Sequence, residues 1–340
     1  EAELSLRKAI KLKPGFADGY SNLGVILRDL GKFKEAESFY LKALELKPNS
    51  KIFRSNLISL LTSYQPIDMN RHQIYLINNE FKRINLPKKE NSLITDEEAV
   101  KIYLDGLIIY KKYNLDLEIS SLQIYKRNDI GIDCKRHLLV FKQKKIIPEF
   151  CFSCYKVQVE TISIVELIKL FLVLNDLELI SNNTRKCMLE TRSNVKGFYK
   201  ALIYCSSLNE AYQVSNQLDD KIKNNISSNL KSKVKRGCSE YPIEYPEYKD
   251  IRTSGDQLMK YNEEWRSIEE EYDKGNRNWG ASKKEIEGFN LNNFLVMRNW
   301  IAYAQKIGDL SVNKITNEKI KGSKKVRLIK DRVISQPDYK

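Results

Sequence analysis

The residues best suited to metal or thiol chemistry in this 340-residue chain are its six cysteines and two histidines. Cys134 and His137 stand in C-x2-H spacing, and Cys151 and Cys154 in C-x2-C spacing. An x2 spacer on a turn brings two ligands to one ion, and a second pair on another turn closes a tetrahedral zinc cage. Cys187 and Cys205 widen the ligand set, so zinc or an iron–sulfur cluster is the cofactor expectation. The competing reading is structural. FCFSC runs through an apolar, strand-like context, and cysteine buries readily as a small hydrophobe. His72 stands alone near a helix start and reads as a helix-end residue.

A second cluster lies in RGCSEYPIEYPEYKDI at 236–251, where Cys238, Glu240, Tyr241, Glu244 and Tyr245 are bracketed by Pro242 and Pro246. The prolines force extended backbone and fix side-chain directions. Cys238 is a candidate nucleophile if an imidazole base reaches it. Glu240 and Glu244 are candidates for paired acid–base work. The plainer alternative is an ordered proline–tyrosine connection packed on a sheet edge. Phosphate-binding glycine loops and the HExxH, GxSxG and EF-hand patterns are missing from the sequence, which weakens the common hydrolase, kinase and dinucleotide-binding readings. Whether the chain is an enzyme stays open.

The elements that must position these residues come from periodicity. From residue 117 the texture favours short strands over helices. Strands are expected at 154–160, 185–192, 197–205 and 230–241. Helices are expected at 161–177 and at 207–226, where Ser207 caps and Glu210 stands three residues later. The order is βαββαβ, and right-handed crossovers make it a ferredoxin-like split unit over 152–242, with four antiparallel strands in order 4-1-3-2. That order brings Cys154, Cys187, Cys205 and Cys238 to one end, provided the side-chain alternation puts them on one face. In the same unit KGFYKALIY at 196–204 loosely resembles the RNP1 segment of RRM domains through Lys196, Gly197 and Phe198. The resemblance implies RNA stacked on Phe198 and Tyr204, with phosphates taken by Lys233, Lys235 and Arg236. The pattern departs at Lys200 and Ile203, where the family has aromatic residues.

The N-terminus repeats with a period of 34 residues: Ala2 falls on Ala36, Ala9 on Ala43 and Pro14 on Pro48. Residues 17–48 carry Tyr20, Leu23, Gly24, Leu27, Ala36, Tyr40, Ala43 and Pro48. Small Gly24 and Ala36 let two antiparallel helices approach, Leu23 and Leu27 supply the buried stripe, and Pro48 ends the second helix. These residues resemble the tetratricopeptide repeat family, and the resemblance fades by residue 62. It implies a scaffold binding a protein or peptide in a groove, with Asn22 and Lys47 as candidate contacts. Residues 1–15 supply only a second helix, so further repeats upstream are expected. The remainder resembles uncharacterised domains found behind such arrays in bacterial proteins, a resemblance that implies no activity.

The whole is therefore expected to be an α+β chain: a helical-repeat segment at 1–62, a helical linker at 63–116, an α/β domain at 117–258, C-terminal helices at 259–310 and a basic flexible tail at 311–340. Phe294, Met297 and Trp300 are core candidates at helical spacing. Hydrophobic types at 42% and charged types at 30% exclude disordered and collagen-like classes. The longest apolar stretch, 162–174, is broken by Glu166 and Lys169, so a membrane span is not expected. The +14 charge favours acidic surfaces, polyphosphate or nucleic acid; among partners RNA is possible and DNA is not expected. Sparse cysteine fits a cytoplasmic location. A protein-interaction scaffold is the leading function; a metal- or thiol-dependent enzyme and an RNA-binding protein are the alternatives.

Overall fold

A computed structural model describes residues 2–128, 132–193, 195–252, 254, 257–275 and 284–316. Its first four helices are α1 (Ala2–Leu12), α2 (Ala17–Asp29), α3 (Phe33–Leu46) and α4 (Lys51–Leu60), each packed on the next. A side chain at Gly24 would meet the Tyr40 ring at 2.6 Å, so hydrogen at this position sets how closely α2 and α3 approach. Leu23, Leu27, Ala36, Tyr40 and Ala43 are fully buried there. Tyr20 packs its ring on Phe39 at 6.0 Å. Gly31 takes the left-handed conformation that turns α2 into α3. Pro48 lies exposed in the link to α4, which Ser50 caps through the Phe53 N–H.

The segment expected as a linker is built into the core. α5 (Gln73–Phe81) is capped by His72, whose Nδ1 accepts from the Ile74 N–H at 3.1 Å. Tyr64 and Tyr75 each donate to Glu37 of α3 at 2.8 Å, tying the repeat to α5 and to the loop before it. α6 (Asp96–Tyr113) opens with a capping box between Thr95 and Glu98 and closes on left-handed Asn114. Gly106 of α6 sits against the Phe294 ring.

After β1 (Gln123–Lys126) come two helices, α7 (Cys134–Lys144) and α8 (Glu149–Ser153), in place of the expected run of short strands. The reason is the period of the buried positions. His137, Val140 and Phe141 fall at i, i+3 and i+4, a helical stripe, and Pro148 leads into the single turn of α8. Glu269 pins this region: it accepts from the Glu149 N–H at 2.7 Å and the Tyr261 hydroxyl at 3.0 Å, and pairs with Arg136 at 3.0 Å.

The sheet continues with β2 (Tyr155–Thr161), α9 (Ile164–Asp176), β3 (Arg185–Leu189), β4 (Tyr199–Cys205), α10 (Leu208–Asn225) and β5 (Ser232–Arg236). Its strand order is β1-β3-β4-β2-β5, antiparallel at every pairing. Both helices pack on one face, over Val157, Val159, Ala201 and Ile203. Ser207 caps α10 through the Glu210 N–H. Arg185, only 2% exposed, donates to the carbonyls of Leu174 at 3.0 Å and Leu177 at 2.5 Å, placing a cation on the C-terminal end of α9.

α11 (Trp265–Gly275) and α12 (Leu291–Ile307) complete the helices. Phe294, Met297 and Trp300 of α12 are fully buried, and the Trp300 indole donates to the Leu122 carbonyl at 2.8 Å. Asp309 accepts from the Tyr199 hydroxyl and the Ile164 N–H, both at 2.7 Å, and Val312 and Ile315 are buried beyond it. Residues 311–316 are thus docked; the rest of the expected basic tail lies outside the described residues. One hydrophobic core runs from Ile10 to Ile315. No helix among the described residues is long and apolar enough to cross a membrane.

Candidate functional site: a lysine-floored cleft between repeat and sheet

Alternation along the strands sends one set of side chains under α9 and α10 and the other to the opposite face. That second face is the floor of a cleft of about 2320 Å³. Its walls are the C-terminal turns of α2 and α4, with Arg28, Ser59 and Thr62, the start of α7, and the connection after β5 carrying Cys238 and Glu240. Repeat and α/β domain therefore share one cavity.

The floor is basic. Lys156 stands opposite Lys235 across β2 and β5 and opposite Tyr204 across β2 and β4, while Lys200 stands opposite Glu160. Lys186 donates to the Gln123 side-chain oxygen at 3.1 Å and the Tyr125 hydroxyl at 3.4 Å, and lies over the Tyr125 and Tyr204 rings. Lys200 has Glu190 at 3.7 Å, yet burial lowers its pKa to about 8 against the pull of Glu160 and Glu190. Glu190 is also engaged by Arg192 at 2.8 Å. Lys156 is 8% exposed, and burial pulls its pKa down. Among the described residues its ammonium has no hydrogen-bond or ion-pair partner within 4 Å.

The thiols separate instead of converging. Cys187 pairs in register with Ala201 in mid-sheet and faces the helices, and burial pushes its pKa up. Cys205 lies opposite Tyr155 on that same helix side, its pKa raised to about 12 by burial. Cys154 is one residue out of phase, on the cleft side, packed against Gly237, with a pKa near 12 from burial. Cys134 lines the cleft, and burial raises its pKa to about 11. Cys151 is buried 3.3 Å from the Tyr241 hydroxyl. A contact with Cys238 and then burial raise Cys151, while the same contact makes Cys238 the more acidic thiol. His137 stacks on Phe150 at 5.1 Å, and burial holds its pKa at about 4. Among the described residues no group of three or more His, Cys, Asp or Glu side chains converges to hold a metal ion. The expected ligand set of Cys134, His137, Cys151, Cys154, Cys187 and Cys205 is divided by the strand alternation and by the helix at 134–144.

The other expected sites fare unevenly. Tyr241 is fully buried, its ring 4.7 Å from Phe141 and 5.2 Å from Tyr248, so it is packing. Glu240 lines the cleft and accepts from Arg192 at 3.2 Å, whereas Glu244 pairs with Lys145 at 2.7 Å outside it. Neither His72 nor His137 is among the cleft residues beside Cys238. For RNA, Phe198 is packed against Tyr199 and Tyr303 in the core and only Tyr204 reaches the floor. Arg236 is spent inside, donating to the carbonyls of Phe152 at 2.6 Å and Tyr248 at 3.1 Å. Asn22 is exposed on α2, and Lys47 pairs with exposed Asp18 at 2.9 Å; neither lines the cleft.

The lysine floor is what sequence reasoning missed. Its signal was present as a lysine at the second position of three strands, Lys156, Lys186 and Lys200. Read one strand at a time, each passes for the solvated half of an alternating pattern.

Residues 17–50 match the family model of the tetratricopeptide repeat. Over 52 residues the chain is 44% identical to human protein O-mannosyl-transferase TMTC2, and over 56 residues it is 39% identical to human protein O-mannosyl-transferase TMTC1. These stretches are 15% and 16% of this chain and 6% of either relative. No solved structure matches the chain. Gly24 against Tyr40, the buried Leu23, Leu27, Ala36 and Ala43, and the family match agree: residues 17–50 are a tetratricopeptide repeat.

Proposed function

We propose that the protein is a protein-interaction module whose repeat and sheet together clasp an acidic, extended segment of a partner protein. The observation that carries this reading is the shared cleft, with Arg28 on the repeat wall and Lys156, Lys186, Lys200 and Lys235 on the sheet floor. Opposite charge steers such a segment in and fixes its register. The strand order β3-β4-β2-β5, with α9 and α10 on one face, supports a ferredoxin-like βαββαβ unit at 152–242, with β1 as an added edge strand. Six unpaired thiols suit a reducing compartment, and on that ground we assign the protein to the cytoplasm. A catalytic reading lacks support at Cys238, because no imidazole shares its cavity.

Fluorescence anisotropy tests the reading with a labelled twelve-residue Glu-rich peptide, a Lys-rich control and an oligouridylate of the same length. Saturable binding of the Glu-rich peptide that weakens with salt is the expected result. Preference for the oligouridylate would replace this reading with an RNA-binding one.

A further inference from the structure

Cys151 and Cys238 meet at the edge of the cleft. Cys151, on α8, is 1% exposed, while Cys238, in the connection after β5, is partly exposed. Of the two, only Cys238 lines the cleft. It packs against the cluster formed by Phe141, Ile147, Cys151, Tyr241 and Tyr248. The Tyr241 hydroxyl stands 3.3 Å from Cys151 Sγ and bonds Cys238 as well, so one buried phenol touches both sulfurs. Each cysteine's segment is pinned to the other's: the Gly237 N–H donates to the Cys154 carbonyl at 2.9 Å, and the Tyr248 hydroxyl donates to the Cys151 carbonyl at 2.8 Å. The two thiols are unequal. Contact with Cys151 makes Cys238 the more acidic, helped by the Tyr241 hydroxyl and the Lys156 charge and opposed by burial and Glu240. An accessible, acidic thiol beside a second, buried one is the arrangement in which a sulfenic acid forms and is captured as a disulfide.

We propose that Cys238 is a site of modification by hydrogen peroxide and that Cys151 resolves the product, joining the connection after β5 covalently to α8. The Cys238 thiolate attacks one peroxide oxygen and the O–O bond breaks. Cys238 becomes a sulfenic acid, and the departing hydroxide takes up the proton that the thiol had released. The Cys151 sulfur then attacks Cys238, the S–O bond breaks, and the Cys151 proton leaves with the hydroxyl as water. Two thiols and one peroxide give one disulfide and two waters, and the sulfurs lose the two electrons that the peroxide gains. The reaction is stoichiometric and independent of what the cleft binds.

The test uses the reduced full chain, treated with equimolar hydrogen peroxide, alkylated under denaturing conditions and digested without reduction for mass spectrometry. We expect a Cys151–Cys238 linked peptide that dithiothreitol dissolves, with Cys134, Cys154, Cys187 and Cys205 alkylated. When dimedone is present to trap sulfenic acid, Cys238 should label about tenfold faster than Cys134, whose pKa burial raises to about 11, because the gain in thiolate outweighs the loss in nucleophilicity. In Cys151→Ala the dimedone adduct of Cys238 accumulates and the linked peptide is lost. A wild-type disulfide from Cys238 to Cys154, to Cys134 or to a second copy of the chain would overturn the pairing. Dimedone labelling that begins at Cys134, or all six thiols still alkylated after peroxide, would overturn the modification site. These readings come from the wild type, so they stand whether or not the variant folds.

Discussion

Lys156 and Lys235 occupy directly opposed positions on β2 and β5, with Lys156 almost wholly buried beneath the cleft. Burial of Lys156 with no partner among the described residues disfavours its charged form and opposes stability. Lys156→Met should therefore raise the unfolding free energy of the free protein by about 1–2 kcal/mol, measured by urea denaturation. A loss of stability would mean that the ammonium is satisfied in the free state.

His137 sets an acid limit. Its pKa falls from 6.5 to about 4 on folding, chiefly through burial, so between those values the unfolded chain binds more protons than the native one. Stability should be level above pH 6.5 and fall as pH drops toward 4, by about 2–3 kcal/mol at pH 4.5 from this residue alone. His137→Phe removes that contribution and keeps a ring against Phe150. Urea midpoints at pH 7 and pH 4.5 should differ less in the variant than in the wild type; an equal difference would locate the acid sensitivity elsewhere.

Arg185 separates fold from binding. Replacing it with Met leaves the Leu174 and Leu177 carbonyls without their charged donor at the end of α9, and should cost about 3 kcal/mol. The side chain lies on the helix side of the sheet, so the affinity of any properly folded variant for a cleft ligand should stay within twofold of the wild type, about 0.4 kcal/mol.

Much of this arrangement was legible because local chemistry and tertiary packing agreed. Gly24, Ala36 and Pro48 announce the repeat through spacing, Thr95 with Glu98 and Ser207 with Glu210 announce helix starts, and Phe294, Met297 and Trp300 mark the central face of α12. The cysteines were not legible. Whether Cys154 and Cys205 meet depends on a one-residue phase, and register puts Cys205 beneath the helices and Cys154 on the other face. Residues 134–144 misled because a compact apolar run does not by itself distinguish a strand from a short helix. The floor lysines were hidden for another reason: their burial comes from α7, the loop after β5 and the repeat, all remote in sequence.

The dispersion of the thiols has its own consequence. Treating the purified protein with a chelator should leave its melting temperature unchanged, because the described thiols and imidazoles form no closed ligand set. A fall of several degrees on metal removal, restored by zinc, would show that the cysteines are ligands.

The most direct measurement of the central claim is the affinity of the Glu-rich peptide for two charge reversals on opposite walls, Arg28→Glu on the repeat and Lys186→Glu on the sheet floor, with Lys47→Glu outside the cleft as reference. Each wall reversal should weaken binding by about tenfold or more, while Lys47→Glu changes it by less than about twofold. A peptide that loses affinity with Lys47→Glu and not with Lys186→Glu would place the partner in the repeat groove alone and contradict the shared cleft.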